Sequence, residues 1–282
     1  MDKRILLLTD FSKNALNAAL YALDLYSDRV CSFYILNTYG VDGFSIDGSA
    51  YTRPGQSSHD IAKSETEIRF KNFMQMLRMH SDNSKHTYET IASYDSLLDG
   101  VKKVVAKKDI DIIIMGTKGM TGSRTVLFGM NTVNVMEKVT ECPVLAVPED
   151  IKFRRPKEIV FPTDYKKPFK RRELKYLITI AQMHNTSIQV LHVMESNELS
   201  ESQEDNKELL KRIFKEVGHS FHELEGASVN SEINAFIDKR NSAMVAFVNY
   251  KRNFFSKLIS RPLVRDLGYQ SRVPVLVLRN RT

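Results

Sequence analysis

Two cysteines, Cys31 and Cys142, are all that 282 residues contain, too few for a disulfide framework or a four-cysteine zinc site. Long apolar runs are missing too. Stretches such as Ile112 to Met115 fall far short of the roughly 20 residues of a membrane helix. Lys3 and Arg4 are followed only by Ile5 to Leu8 before Thr9-Asp10, too short an apolar core for a signal peptide. These absences lead us to expect a soluble cytoplasmic protein with no membrane partner. With 42% apolar and 27% charged residues, disordered, collagenous and low-complexity classes are excluded. Three catalytic or phosphate-binding signatures are also absent. There is no GxxxxGK[ST] loop, no GxGxxG after the first strand and no GxSxG elbow. The first two absences argue against a P-loop NTPase and a Rossmann dehydrogenase, and the third leaves catalysis with little support.

Charge is unevenly spread. The net charge is +7, yet residues 1–148 hold 17 basic and 17 acidic side chains, so the whole excess lies beyond them. An anionic partner or a solvated basic face would account for it. Nucleic acid is not the expected partner, because no reading module and no basic run with regularly spaced aromatics is present.

The chain is written twice. Ile5 to Phe11 reads as a buried strand ending in Thr-Asp-aromatic, and Ile159 to Tyr165 repeats it. A helix follows each, with Leu16, Leu20 and Leu23 on one face of the first and Leu174, Leu177, Ile178 and Ala181 on one face of the second. Ser12 suits the first N-cap. Second strands are predicted at 30–37 and 187–193. The ends match as well, Cys142-Pro143-Val144 against Val273-Pro274-Val275. In the first copy the pattern predicts a helix over 58–80 (Phe70, Phe73, Met74, Leu77), a strand near 86–92, a helix near 95–107 and a strand at 111–115. In the second, Leu210, Ile213, Phe214, Val217 and Phe221 predict the equivalent long helix. Strands alternating with helices give an α/β fold, two tandem doubly wound domains over 1–148 and 157–282. Pro148 to Pro156 is the expected linker. The 39–57 connection is long and rich in Gly and Ser.

Sheets of this kind bind ligands beyond the carboxyl ends of their strands. There the first copy carries Gly116-Thr117-Lys118-Gly119, nine further residues, then Gly129-Met130-Asn131-Thr132 opening a helix. Glycines admit positive φ and close approach of a ligand. Backbone N–H groups at a helix N-terminus suit phosphate oxygens. Lys118 could add a charge and Thr132 a hydroxyl donor; alternatively, the glycines only turn a surface loop.

These residues resemble the UspA-like universal stress proteins, in tandem, over nearly the whole chain. The family pattern G-x-x-G, nine residues, G-[S/T] is matched by Gly116, Gly119 and Gly129, with Met130 where Ser or Thr is usual. The resemblance implies a five-stranded parallel sheet in each domain, Rossmann-like and similar to the adenine nucleotide alpha hydrolases. It implies ATP as ligand, with or without Mg²⁺, and a regulatory role in stress response. By the same resemblance, Thr9 and Asp10 lie at the nucleoside, Thr38 against adenine, and Met115 and Gly116 beside the ribose. Gly129, Met130, Asn131 and Thr132 would hold the phosphates. Met130 removes one hydroxyl, about 1.5–3 kcal/mol of binding, and could narrow the site. The last strands of such domains commonly pair across a two-fold axis, so Val144 to Val147 and Val275 to Leu278 could make a pseudo-dimer, and a homo-oligomer is open. An unidentified protein partner is expected.

The second copy departs from the pattern. Counting back from Pro274 without gaps places Phe247, Tyr250 and Ser260 where the glycines stand, so no nucleotide is expected there. Lys251, Arg252, Lys257, Arg261 and Arg265, with Phe254 and Phe255, could form an anion or partner site or a basic amphipathic surface. Catalysis has little support. His219 and His222, i and i+3 on a predicted helix, lack a third ligand. Cys31, Cys142 and the Met74, Met76, Met79 group read as packing and surface residues, and His59 and Asp60 as a helix start after Ser58. Three readings result: a nucleotide-binding regulator, preferred; an interaction module of the same fold that has lost nucleotide; and an enzyme with at most slow ATP hydrolysis, for which no base is placed.

Overall fold

Strand β1 (Lys3–Leu8) is a continuous apolar run because it lies in the middle of a parallel sheet, where Ile5, Leu6 and Leu7 are fully buried. The structure, a computed structural model, describes residues 2–39, 58–118, 128–194, 198–225, 229–249 and 273–279. They fall into two units, Met1–Phe153 and Arg154–Thr282.

In the first unit β1 leads to α1 (Lys13–Leu25), β2 (Cys31–Thr38), α2 (Ser58–His80) and β3 (His86–Ser93). There follow α3 (Leu97–Lys108), β4 (Ile112–Gly116), α4 (Met130–Lys138) and β5 (Val144–Val147). The strands run parallel in the order β3-β2-β1-β4-β5. Ser12 does cap α1, its hydroxyl accepting the Ala15 N–H at 3.1 Å. The buried face of α1 is not the expected leucine row. Ala15, Ala18, Ala19 and Ala22 turn inward, whereas Leu16 and Leu20 are only half-buried. Small side chains let this helix lie close on the sheet. The linker is tied down at its start. The Asn17 amide donates to the carbonyls of Pro148 and Ile151, at 3.0 and 2.9 Å, and Phe153 packs edge-on against Tyr21.

The second unit comprises β6 (Glu158–Pro162), α5 (Arg171–His184), β7 (Ser187–Met194), α6 (Glu201–Phe214), β8 (His219–Glu225), α7 (Val229–Arg240), β9 (Met244–Asn249) and β10 (Val275–Arg279). Its parallel order, β8-β7-β6-β9-β10, repeats that of the first. The helix predicted to run through Val217 and Phe221 stops at Phe214, with the Val217 N–H bonded to the Phe214 carbonyl in a turn. Beyond Gly218 the spacing of apolar residues was accidental. Phe221 belongs to β8, half-buried between the exposed Ser220 and the half-buried His222.

The sheet register corrects the ungapped alignment of the two copies by one residue. Ile113 N donates to the Pro143 carbonyl and Val245 N to the Pro274 carbonyl, both at 3.0 Å. Asp111 N bonds to Arg4 O as Ala243 N does to Glu158 O. Gly116 pairs with Val147 and Val248 with Leu278. The residue at the position of Gly116 is therefore Val248, not Phe247. The segment joining the last two strands is one residue shorter in the second unit, which a count without gaps cannot see.

Candidate functional site in the first unit

The carboxyl ends of β1, β2 and β4 open on a groove lined by Leu8, Thr9, Asp10, Asn37, Thr38, Leu97, Met115, Gly116, Lys118, Asn131 and Thr132, with Ala15 at the foot of α1. All but three of the eleven residues proposed from sequence meet here. Its cavity is about 70 Å³, well below the roughly 300–1,000 Å³ of an enclosed ligand pocket, so these residues make the floor of an open groove. Gly119 lies outside the described residues, as do Tyr250, Ser260 and the basic and aromatic residues between 251 and 265.

The Thr-Asp pair has a local duty in both units. Phe11 and Tyr165 follow it with φ of 64° and 53°, a left-handed conformation that costs an aromatic residue free energy. Thr9 Oγ1 accepts the Phe11 N–H at 2.9 Å and Asp10 Oδ1 accepts the Ser12 N–H at 3.0 Å. Thr163 and Asp164 do the same for Tyr165 and Lys166. Below the turn, Asn37 Nδ2 donates to the Thr9 carbonyl at 2.8 Å, and in the second unit His192 Nδ1 bonds to the Thr163 carbonyl at 2.9 Å. The presence of Asp164 in the second copy is thus explained by the turn alone, without a ligand.

Gly116 has a different reason to be glycine from the one expected. A Cβ there would sit 2.7–2.9 Å from the carboxamide atoms of Asn14. Asn14, buried at the start of α1, donates through Nδ2 to the Lys118 carbonyl at 2.8 Å and holds the chain as it leaves β4. Its Oδ1 is buried without a hydrogen-bond partner. Sequence reading missed Asn14, because only the fold brings it to Gly116. A related fit occurs at Gly100 of α3, where a Cβ would meet Thr38 Cγ2 at 2.7 Å. The glycine makes room for the threonine at the end of β2.

Thr132 does not offer its hydroxyl to a ligand. It is buried and donates to the carbonyls of Gly116 and Thr117, at 3.0 and 3.1 Å. The Gly129 N–H also bonds to the Thr117 carbonyl, at 2.8 Å. Together they clamp the start of α4 to the end of β4. Gly129 is the N-cap of α4 and supplies no side-chain cap, with φ −63° and ψ 155°, a conformation open to any residue. The first intrahelical bond is made by Val133 N to the Gly129 carbonyl, leaving the N–H groups of Met130, Asn131 and Thr132 ahead of the helical ladder. Met130 does not narrow the groove. It is 80% exposed and absent from the lining.

The remaining chemical candidates have structural partners. His219 and His222 lie three apart on a strand, hence on opposite faces, not on one helical face. His219 bonds to the Val217 carbonyl and His222 Nε2 to Gln189 Oε1 at 2.7 Å. Among the described residues no three His, Cys, Asp or Glu side chains could share a metal. Cys31 is buried, and burial pushes its thiol up to about 12, so it holds its proton at neutral pH. Cys142 is also buried, Met76 and Met79 are exposed on α2, and His59 sits 3.4 Å from Asp60.

The profile of the universal stress protein family matches residues 1–148, more than half of the chain. The chain belongs to this family. A universal stress protein of Methanocaldococcus jannaschii is 26% identical over 153 residues, which are 51% of this chain and 81% of the relative. A universal stress protein structure from Archaeoglobus fulgidus superposes with a TM-score of 0.67 at 18% identity, covering 98% of this chain and 96% of that one. The cytoplasmic domain of a prokaryotic cation chloride cotransporter is similar too, with a TM-score of 0.57 at 9% identity, covering 99% and 96%. At such identities the two structures share the fold with this family member and nothing narrower. No helix among the described residues is long and apolar enough to cross a membrane.

Proposed function

We propose that this universal stress protein is a regulator that binds an adenine nucleotide, ATP by family expectation, in the first unit and none in the second. What carries the reading is the glycine N-cap of α4. Gly129 leaves the N–H groups of residues 130–132 without a side-chain acceptor at the edge of a groove whose floor is Thr9, Asp10, Asn37 and Thr38. A helix start of that kind favours phosphate oxygens. Asp10 and Thr38 would meet the nucleoside, Met115 and Gly116 the ribose, and Lys118 would add charge near the phosphates. With no three-ligand metal cluster among the described residues, any Mg²⁺ arrives on the phosphates. In the second unit Val248 stands at the position of Gly116, and its side chain supports the reading of a filled site. The second unit is accordingly a diverged copy of the family domain. The role we propose is binding rather than turnover.

The test uses the full chain. After denaturation, released adenine nucleotide is assayed, and melting is followed with ATP and Mg²⁺. Ligand at 100 times Kd should stabilise by about 2.7 kcal/mol. Gly129→Asp is the decisive variant. An N-cap carboxylate would occupy the helix N–H groups and repel phosphate while keeping or raising the stability of the free protein. Loss of the ATP shift with unchanged folding supports the site. Neither bound nucleotide nor a shift in the wild type would leave the interaction-module reading.

A further inference from the structure

Helix α2 carries two opposite rows of the same spacing. Thr66, Phe70, Phe73 and Leu77, at i, i+4, i+7 and i+11, are buried. Begun two residues later, a rotation of about 200°, that spacing picks out Ile68, Asn72, Gln75 and Met79, and all four are exposed. The outward row holds no charge, although that is where a surface helix places its charged side chains. Ile68 is 59% and Met79 79% exposed, and with Met76 they make three of the six exposed large apolar side chains among the described residues. An open groove of about 960 Å³ runs beside the row, walled by Phe70, Met74 and Met79 of α2 and by Thr90 of β3, with Glu67 and Arg78 also in its lining. The second unit supplies a control. Its corresponding helix, α6, exposes no large apolar side chain, and Lys207 and Lys211 there pair with Glu204, Glu223 and Glu208 of their own unit.

Charge is ordered along α2. Residues 60–67 hold Asp60, Glu65 and Glu67 against Lys63, and residues 68–80 hold Arg69, Lys71 and Arg78 against no acid. The helix macrodipole accounts for such an order in the first and last turns only, whereas Glu67, Arg69 and Lys71 stand mid-helix. The ion pairs that α2 makes among the described residues lie at its ends, His59 with Asp60 and His80 with Asp24. We infer that the outward face of α2 is an interface with a second copy of this chain, the two helices lying antiparallel about a two-fold axis at the level of Phe73. Such an isologous contact needs a surface that complements itself. The charge order meets that need, because acid followed by base, read backwards, is its own complement. About this axis Ile68 comes level with Met79 of the second copy, Asn72 with Gln75 and Glu67 with Arg78, each to within one residue's rise of about 1.5 Å. Methionine is enriched at protein interfaces, and here it supplies the apolar contact. A helix of 23 residues spans only about 35 Å, so the contact is small for a protein interface and the dimer dissociates on dilution.

The experiment is sedimentation equilibrium of the full chain from about 1 to 200 µM. The wild type should pass from monomer to dimer and no further. Ile68→Glu places a carboxylate against Met79 and should weaken dimerisation at least about tenfold. Glu67→Arg and Arg78→Glu, made singly, each set like charges opposite one another and should also weaken it about tenfold or more. Made together they exchange the two charges and should restore the dimer to within about threefold of the wild type. Lys102→Glu, on the exposed side of α3, should change nothing. Each variant should melt with the wild type at the lowest concentration, which separates lost association from lost folding. The proposal is overturned if the wild type stays monomeric throughout, if it grows beyond a dimer, if Ile68→Glu dimerises as the wild type does, or if the exchanged pair does not regain what the single variants lose.

Discussion

Asn14 and Gly116 behave as one unit, since the absence of a Cβ on one is what lets the other reach the Lys118 carbonyl. Gly116→Ala should therefore cost about 1–3 kcal/mol through overpacking. Asn14→Ala should cost about 1–3 kcal/mol through the freed carbonyl and the void. Made together, the two changes should cost less than their sum, because the alanine methyl of one enters space vacated by the other. Urea denaturation of the four proteins gives the coupling energy, and simple additivity would refute the fit. Four residues after its aspartate the second unit has Pro168, with Val248 at the glycine position, so both members of the pair are replaced there. At Met130 the expectation is a gain. Its side chain is exposed at the first position of α4, so Met130→Thr adds a hydroxyl at the groove's edge without repacking the core. ATP affinity should rise by roughly 10–100-fold, the worth of one hydrogen bond to a charged group, as read by calorimetry.

Secondary elements were legible wherever the apolar period was unbroken. The strands β1, β4 and β6 and the helix α2 sit where the pattern predicts, because parallel strands buried on both faces cannot carry polar residues. Failures came where two periods coincide. Phe214, Val217 and Phe221 satisfy a helical spacing, yet the chain turns at Val217 and Gly218, and Phe221 enters β8 in alternation. The site was legible as a set of segments rather than as contacts. Glycines and the Thr-Asp turn were visible, whereas the clamp by Thr132 and the wedge of Asn14 depend on long-range approach across more than a hundred residues or between strand end and helix start. Two strand histidines respond to pH. Burial lowers the pKa of His86 at the start of β3 despite the Tyr26 carbonyl that its ring meets at 3.2 Å. His222 on β8 is lowered by burial and by Arg240. With folded values below the unfolded value near 6.5, both contribute full stability above that pH. As pH falls through it, the unfolded chain takes up protons first and stability drains away. The urea midpoint should drop between about pH 7.5 and 5, and less in the His86→Gln, His222→Gln double variant.

At the scale of the whole molecule, the two units share one framework and differ at the carboxyl ends of their strands. Both keep the strand order, the left-handed aromatic after Thr-Asp and a side-chain donor beneath the turn, Asn37 in one and His192 in the other. Their charges diverge, and so does the position of Gly116 and Val248. On the proposed reading, a ligand that recognises the bare N-cap of α4 acts on the first copy. Saturating ATP should accordingly slow amide exchange at Met115 to Lys118 and in α4, and leave β9 and the start of α5 unchanged. The amides of residues 130–132, ahead of the helical ladder, should show the largest change, since a phosphate would give them the acceptors that the glycine cap does not. Equal protection of β9 would mean that nucleotide enters the second unit as well, and Val248 would then be no barrier.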